Sequence, residues 1–588
     1  MKKKVLFVSV LATLALSACT IEIPLFPLPE STQESGNSQT TESGNTSTTS
    51  QGGGESQGGN TSTTSQGGTS QGGSESQGGN TSTTSQTSES QGGGSSQGST
   101  SQGGTSESQG GTSQSSEQQK IQRTHLQQTY QEYAAANLYG CDYCPKTGNP
   151  KLLIVPVWFE DSDTYITSTS QKNTIKSNIQ KAYLGSKAET GWHSVKTYYE
   201  EESNNALSLT GVVTDWWECG VYADDCDEAT TEALVDEAVT WYFSSHSSER
   251  KSFDTDGNGY LDGVMLIYGA PNSLNDNDNL WAYCYWTSND ANKNAPTSNV
   301  FFWASYDFMS EDTSHCTIDA HTYIHEMGHV LGLDDYYDYS KQYKPAGGFS
   351  MQDYNVGGHD AFSVMAYGWA DPYIPTTSQT IEIGAFQTTK ECILLTPSWN
   401  AQNSVFDEYL LLELYTPTGL NLLDSTYSYA GGYPQGPSDT GIRLWHVDAR
   451  LAMCTDVTSG NEPVYGNQVT INLNDSRAIY GVQTAMSNTY YKKDSSSNAY
   501  CSPLGSNYYD YNLLQLIRNK TSANYKPTSF LSGSDLFKSG STFNMSTYAG
   551  QFKNSGKLNS NTNLGWSFSV TINGSGADAT ASVTVTKA

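Results

Sequence analysis

Positive charge is scarce in this sequence. Thirty Lys and Arg residues stand against 60 Asp and Glu residues, which gives a formal net charge of −30 at pH 7. A surface this acidic repels nucleic acids and anionic lipid headgroups, so neither is an expected partner. The same charge suits an exported protein and is compatible with bound calcium.

Long apolar runs are also scarce. The stretch Val5–Leu16 follows three lysines and is too short to span a bilayer as a mature helix, which predicts a signal peptide over residues 1–18. Its Leu-Ser-Ala-Cys ending resembles the bacterial lipobox, which would make Cys19 the lipid anchor; the alternative is an ordinary cleaved signal. No later stretch can cross a membrane, so we expect an extracellular protein whose only contact with a bacterial membrane is that lipid.

Apolar residues then nearly disappear. From about residue 30 to residue 117 the composition narrows to Ser, Gly, Thr, Gln and Glu, and the unit Glu55–Gln66 recurs at Glu75–Gln86. Such a chain cannot bury apolar surface, so residues 19–117 are predicted to be the anchor cysteine and a disordered, flexible tether. Residues 118–149 follow as a polar lead or pro-like segment.

The predicted folded part begins with a continuous apolar run, Lys151–Phe159, typical of a strand that is buried on both faces. Helical and strand patterns then alternate, which predicts an α/β domain over residues 150–378 with a mostly parallel sheet. The predicted helices are Lys172–Leu184, Val195–Glu202 and Glu228–Phe243, and the further strands are Ala206–Trp217, Gly263–Tyr268 and Val300–Ala304. The last of these is the expected edge strand, where an extended peptide would add to the sheet.

From about residue 380 the pattern changes to short alternating strands separated by Gly, Asn and Ser turns. Examples are Tyr409–Tyr415, Gly441–Val447 and Gly565–Ile572. No periodic helical segment of comparable strength appears. Residues 379–588 are therefore predicted to be an all-β, sandwich-like C-terminal region.

The strongest motif lies between these two regions. His325 and His329 are four residues apart, so on a helix both imidazoles lie on one face and reach a single ion. Glu326 projects beside them, near a bound water. Gly332 can adopt the left-handed conformation that ends a helix, and the chain can then return Asp335 as a third ligand. Two His, one carboxylate and an open fourth position are typical of catalytic zinc.

The alternative is an ordinary core helix, because Ile324, Met327 and Leu331 form an apolar stripe at helical spacing. That stripe explains how the helix packs. It does not explain why four of only nine His residues stand within one short segment. We therefore interpret the helix as a zinc site.

A second segment is rich in oxygen ligands. Its positions 1, 3, 5, 7 and 9 match a calcium-binding loop and are Asp254, Asp256, Asn258, Tyr260 and Asp262. Position 12, where an EF-hand needs a bidentate Glu, is Met265, and a strand pattern follows instead of a helix. The segment is predicted to be a calcium loop of another kind; the alternative is an acidic turn held by its own side-chain hydrogen bonds.

Candidates for supporting roles follow the motif. Zinc peptidases with a glycine-bent third ligand carry a methionine turn beneath the metal, and Met351 and Met365 both qualify. Three side chains could donate a hydrogen bond to a developing oxyanion: Tyr354, His359 and Tyr367. For each of the three, a structural role is the alternative.

The stretch His325-Glu-Met-Gly-His-Val-Leu-Gly-Leu-Asp-Asp-Tyr-Tyr-Asp338 resembles the motif of the immune inhibitor A family of secreted bacterial metallopeptidases, and also that of snapalysin. Further similarities to the immune inhibitor A family are Ser194–Tyr199, Asp254–Asp262, Met351–Asn355 and Gly441–Asp448. The resemblance covers about residues 150–450. It implies a zincin-like, metzincin-like α/β domain, Asp335 as the third zinc ligand and Met351 as the methionine turn. Asp334 replaces the family's usual Pro, so Asp334, Asp335 and Asp338 compete for the role of third ligand, with Asp338 as the alternative to Asp335.

The sequence therefore predicts a surface-tethered zinc endopeptidase, with Glu326 as general base, that cleaves extracellular proteins or peptides. Calcium is a further expected ion, and the expected state is a monomer. The alternative is a surface lipoprotein adhesin that binds glycoproteins through its Tyr- and Trp-rich β region and retains a vestigial zinc site. The intact ligands argue against it, because a decayed site would be expected to lose at least one.

Overall fold

A computed structural model describes residues 121–126, 144–226, 228–272, 280–338, 342–398, 405, 407–429, 432–449, 452–453, 464–465, 482–483 and 512–588. The predicted signal peptide, Cys19 and the tether over 19–117 lie outside the described residues, as does most of the lead segment. Within the described ranges, no helix combines the length and hydrophobicity needed to cross a membrane.

The first sheet has six strands. They are β1 (Lys151–Trp158), β2 (Thr210–Val213), β3 (Trp217–Glu218), β4 (Val264–Tyr268), β5 (Tyr283–Trp286) and β6 (Val300–Ser305). Their order is β2-β1-β4-β6-β5, and β3 also pairs with β1. Strands β1, β2, β3, β4 and β6 pair in parallel, whereas β5 runs antiparallel to β6. The predicted α/β content is confirmed, but the predicted edge strand is wrong: β6 is internal and the short strand β5 ends the sheet.

Among the described residues of the same region, seven segments are α-helices. They are α1 (Thr169–Leu184), α2 (Lys187–Thr190), α3 (Val195–Glu202), α4 (Glu228–Ser245), α5 (His321–Val330), α6 (Met351–Tyr354) and α7 (Ala361–Ala366). Helices α1, α3 and α5 share an apolar cluster with one face of β1 and β4, while α4 covers the other face. Coverage of both faces explains why β1 and β4 are continuous apolar runs.

The C-terminal region contains two four-stranded sheets, β14-β10-β9-β8 and β15-β16-β17-β7. The strands of these two sheets are β7 (Gln379–Gly384), β8 (Cys392–Leu395), β9 (Glu408–Tyr415), β10 (Gly441–Asp448), β14 (Leu514–Ile517), β15 (Thr542–Asn544), β16 (Trp566–Asn573) and β17 (Thr580–Lys587). A small third sheet consists of three two-residue strands: β11 (Ala452–Met453), β12 (Val464–Tyr465) and β13 (Val482–Gln483). One apolar cluster draws side chains from both larger sheets. Two short helices, α8 (Phe386–Thr389) and α9 (Leu422–Thr426), interrupt the predicted all-β pattern.

The inner sheet, β14-β10-β9-β8, belongs to both regions. Alternate residues of β9, such as Leu412, enter the cluster between the two β-sheets, while Leu411 enters the core of the α/β region. All eight residues of β9 and of β10 are buried, whereas β16 and β17 alternate between buried and exposed positions. The two regions therefore share one hydrophobic core.

Two buried ion pairs lie at this junction. Lys390, which follows α8, contacts Glu202 of α3 at 3.0 Å, and both side chains are almost fully buried. Arg443 of β10 pairs with Glu413 and also donates to the carbonyl oxygen of Phe349. Buried charges are costly unless they are paired, so these contacts favour a single arrangement of the two regions.

Candidate metal centre

Helix α5 places the imidazole rings of His325 and His329 close to each other. The Nδ1 atoms of His325 and His329 contact the carbonyl oxygens of Met351 and Leu333, each at 2.7 Å. A carbonyl can only accept, so both Nδ1 atoms carry the proton and both Nε2 atoms are left as potential ligands. The two Nε2 atoms lie 3.1 Å apart.

The chain turn after α5 brings in a carboxylate. The helix ends at Val330, and Gly332, two residues later, has a φ of +102°, which an L side chain rarely adopts. Asp335 then places its Oδ1 atom 3.0 Å from the Nε2 of His325 and 3.2 Å from that of His329. Among the His, Cys, Asp and Glu side chains that the structure describes, these three form the one group able to hold a metal ion.

The donor set fits a cation. Two ring nitrogens and a carboxylate oxygen this close together need a positive charge between them. Burial by itself would lower the pKa of His329, yet the Asp335 carboxylate raises it to about 10. Burial would likewise raise the pKa of Asp335, but the two imidazoles hold it well below its usual range. Two ring nitrogens and one carboxylate oxygen match the protein ligand set of zinc.

Asp338 and Asp334 lie outside this group. Asp338 is buried and accepts a hydrogen bond from the backbone N–H of Tyr343. Asp334 has its pKa raised to about 6 by burial. Of the three acids that the sequence left in competition, the structure brings only Asp335 to the two imidazoles.

Glu326 lies beside the ligand group and is 94% buried, since its relative exposure is 6%. Its Oε2 atom accepts no hydrogen bond from any residue within the described ranges. Burial raises the pKa of this carboxyl group, with the two imidazoles acting in the opposite direction. An unpaired buried carboxylate next to a metal site is suited to take a proton from water.

The two methionine candidates differ in position. Met351 begins α6, and its carbonyl oxygen fixes the ring of His325. Met365 lies in α7 with its sulfur 3.8 Å from that of Cys392, at the junction with β8. Only Met351 therefore contacts the metal ligands directly.

The three candidates for stabilising an oxyanion differ in the contacts that they make. The hydroxyl group of Tyr367 donates to the carbonyl of Gly328, and the ring of His359 is buried between Tyr198 and Gln352. Burial holds the pKa of His359 well below its usual range. These contacts engage the hydroxyl group of Tyr367 and the ring of His359, and the role of either side chain towards an oxyanion stays a prediction.

Tyr354 is the exception among these candidates. Its ring packs against that of Tyr337, whose hydroxyl group donates to the Oδ2 atom of Asp335. Its own hydroxyl oxygen accepts a hydrogen bond of 2.6 Å from Lys344 Nζ. Tyr354 therefore lies on the metal side of the domain, and its role towards an oxyanion stays a prediction.

The side chains of the predicted calcium loop accept hydrogen bonds from the loop itself and from the backbone of Lys151. Asp254, Asp256 and Asn258 accept hydrogen bonds from the backbone N–H groups of Gly259, Asn258 and Tyr260. Asp262 accepts from Thr255 and from the backbone of Lys151, and burial raises its pKa to about 6. These contacts match the acidic turn that was the alternative, and the calcium site stays a prediction.

Two contributors to the site were missed by sequence reasoning. Tyr337 orients Asp335 from the far side. Gln352 packs so closely on α5 that a Cβ at Gly328 would lie 2.1 Å from its Oε1 atom. The glycine inside the His-Glu-Met-Gly-His stretch was the available signal, because a glycine in a helix often marks a close approach.

Helix α5 is also held at its first residue. His321 is fully buried between Asp319, 2.7 Å from its Nδ1, and Asp424 of α9, 3.3 Å from its Nε2. Asp319 also accepts from the hydroxyl group of Tyr429, which lies 3.0 Å from a carboxylate oxygen of Glu311. Spacing alone does not separate this histidine from the candidate metal ligands, because one of its two partners, Asp424, is 103 residues away in the chain.

Residues 151–358 match the family model of the immune inhibitor A peptidase M6 catalytic domain. No curated protein gives a significant match to the chain. The matched segment contains β1 to β6, the metal helix, Asp335 and Met351, so the family match and the ligand geometry fall on the same part of the molecule. Residues 151–358 are therefore similar to the catalytic domain of immune inhibitor A-type peptidases, and this similarity supports a metallopeptidase.

Proposed function

We propose that the protein is a zinc-dependent endopeptidase that hydrolyses peptide bonds of extracellular proteins. The observation that carries the proposal is the convergence of His325, His329 and Asp335 beside the buried carboxylate of Glu326. Three protein ligands with an open position are typical of catalytic zinc, whereas structural zinc sites use four. When bound, zinc supplies Lewis-acid polarisation of the scissile carbonyl and increases the acidity of water at the site.

The chain's own residues move the proton. Glu326 takes a proton from the attacking water and delivers it to the leaving amine, because its Oε2 atom has no competing hydrogen bond within the described residues. The carbonyl oxygens of Met351 and Leu333 keep both imidazoles in the required tautomer. Tyr337 holds Asp335 in its orientation.

The proposal also includes a cellular location: the outer side of a membrane, to which the chain would be attached. Its signal-like first 18 residues, Cys19 and the Gly- and Ser-rich tether over 19–117 would attach the catalytic domain to a membrane while allowing it to reach substrates around it. This part rests on sequence alone. Labelling with a radioactive fatty acid, compared between the wild-type chain and Cys19→Ser, tests it.

The Glu326→Gln variant tests the catalytic assignment. It keeps the shape of the side chain but removes the proton acceptor, so we expect casein cleavage to fall by at least about 100-fold while one zinc per chain is retained. Zinc content by atomic absorption and cleavage of casein are measured on the same full-length preparations. Glu249→Gln, at an exposed position, is the matched control and should cleave like the wild type.

A Glu326→Gln variant that retains normal cleavage would refute the assignment. A wild-type chain that binds zinc but cleaves no protein would instead favour the adhesin alternative.

A further inference from the structure

Beside the metal centre, rings from both regions of the chain form one surface. It consists of Tyr354, Tyr433 and Phe530, with the ammonium group of Lys344 among them; we call it the aromatic wall. We propose that the aromatic wall is a substrate subsite that selects a neutral aromatic side chain of the peptide. The inference rests on the proposed peptidase function and names a substrate preference for it.

Two connections tie the aromatic wall to the metal ligands. Tyr337 donates to Asp335, and its ring centre lies 6.1 Å from that of Tyr354. Tyr354 also ends α6, one helical turn after Met351, whose carbonyl oxygen holds His325. A peptide bound across the metal centre would therefore have the side chain of a nearby residue within reach of Tyr354.

The rings are arranged edge to face. The ring centre of Tyr354 lies 6.3 Å from that of Tyr433 and 5.2 Å from that of Phe530, with interplanar angles of 79° and 87°. All three rings remain partly exposed. Aromatic pairs favour this geometry, and an additional ring can join such a group through the faces and edges that remain exposed.

The backbone holds the aromatic wall in place. A Cβ at Gly348 would lie 2.3 Å from the ring of Phe530, so this ring rests directly on the chain between Asp335 and α6. The next residue, Leu531, donates to the carbonyl of Gly347 at 2.7 Å. Tyr433 packs against Tyr429, its ring centre 4.9 Å away. A fixed surface costs little entropy on binding, which favours selectivity.

Charges of both signs disfavour ionised side chains here. Lys344 Nζ lies 5.0 Å from the ring centre of Tyr354 and 5.2 Å from that of Phe530, and it repels a basic side chain. The carboxyl groups of Asp353 and Asp338 oppose the charge of Lys344, so an acidic side chain gains little from that ammonium group. A neutral aromatic side chain of the substrate gains the contacts with the rings and meets no unfavourable electrostatic interaction with these charged groups.

The test compares two peptides that differ only at the position where a peptide library shows an aromatic preference for the full-length enzyme. One peptide has Phe there and the other has Ala. Phe530→Ala and Tyr433→Ala should each lower kcat/KM for the Phe peptide by about tenfold and leave the Ala peptide nearly unchanged. Phe530→Tyr, which keeps the ring, should restore the preference, and Tyr222→Ala at an exposed, remote position is the matched control.

Each outcome either supports or overturns the proposed subsite. A selective loss on the Phe peptide supports the subsite. An equal loss on both peptides, or unchanged selectivity in both wall variants, overturns it, as does a wild-type library profile with no aromatic preference. A wild-type enzyme that cleaves no peptide would refute the proposed function itself, which separates the two failures.

Discussion

At the scale of single residues, each of the three candidate metal ligands is held by a hydrogen bond to a group outside the ligand set. Each imidazole is fixed by a backbone carbonyl, and Asp335 is fixed by the hydroxyl group of Tyr337. Such partners orient the ligands and set their basicity. The site is therefore larger than its three ligands.

Tyr337→Phe removes one such partner and leaves the ring packing intact. We expect zinc affinity to fall by about 10- to 100-fold, because the Oδ2 atom of Asp335 loses its hydrogen bond while Oδ1 remains in place. Competition with a fluorescent chelator measures the dissociation constant. Tyr336→Phe, which loses a buried hydroxyl group that contacts Ser363, is the control and should keep wild-type affinity. Equal zinc affinity in the wild type and Tyr337→Phe would contradict the role assigned to Tyr337.

At the scale of secondary-structure elements, the first turn of α5 is connected to α9 by a buried imidazolium. Burial opposes the charge, but Asp424 and Asp319 together raise the pKa of His321 to about 10. Glu311, near the same group, has its pKa raised to about 8 by burial and by Asp319. Both groups bind protons more tightly in the folded chain than in the unfolded chain.

This cluster predicts a pH dependence of stability. The contribution of His321 is complete below its unfolded pKa of about 6.5 and is lost as pH rises through its folded pKa of about 10. The shift of Glu311 acts in the same direction as pH rises towards its own folded pKa. We therefore expect the Tm of the full-length chain to fall between pH 7 and pH 10, as measured by circular dichroism.

His321→Gln leaves two buried carboxylates without their cation. The expected loss is about 3–5 kcal/mol of unfolding free energy at pH 7, with a weaker pH dependence above that pH. Urea unfolding gives the free energies. His315→Gln removes a partly exposed histidine that pairs with Asp312 and should cost about 1 kcal/mol or less. A His321 variant as stable as the wild type would show that the imidazolium contributes nothing to holding α5.

The elements that could be predicted from sequence are those set by local spacing. The four-residue separation of His325 and His329, followed by Gly332 and Asp335, determines a helix and a turn within 11 residues, and the structure has both. The continuous apolar run of β1 was equally informative, because a strand covered on both faces needs no alternation.

What could not be predicted depends on contacts between distant parts of the chain. His359 and Tyr198 are 161 residues apart, so nothing near His359 indicates that its ring is buried. Strand β5 has four residues and no distinctive pattern, which is why β6 was taken for the edge. The short helices α8 and α9 are fixed by packing at the junction and not by helical periodicity.

At the scale of the whole molecule, the inner sheet makes the two regions interdependent. Leu411 and Trp445 belong to the same core as the metal helix, and Arg443 donates to the backbone of Phe349. Removing the C-terminal region would expose one face of that core to water at about 25 cal/mol per Å² of apolar surface. We therefore expect that the α/β region does not fold independently of the C-terminal region.

Expression of two fragments tests this interdependence. Residues 121–378 alone should be insoluble or show no cooperative thermal transition, whereas residues 121–588 should unfold cooperatively. Differential scanning calorimetry distinguishes the two. A soluble fragment 121–378 with a cooperative transition and normal zinc binding would show that the shared core is dispensable.

The connector between α7 and β7 is attached to the sheet at several points. The backbone of Tyr373 exchanges hydrogen bonds with Cys392 and Leu394, and Thr124 donates to Pro372. Proteolytic cleavage of this connector, by the protein itself or by another enzyme, would break the covalent chain. The hydrogen bonds and the shared core would still hold the two resulting pieces together. The two pieces would remain associated in native solution and would separate only in a denaturing detergent, so a gel run without denaturant would not reveal the cleavage.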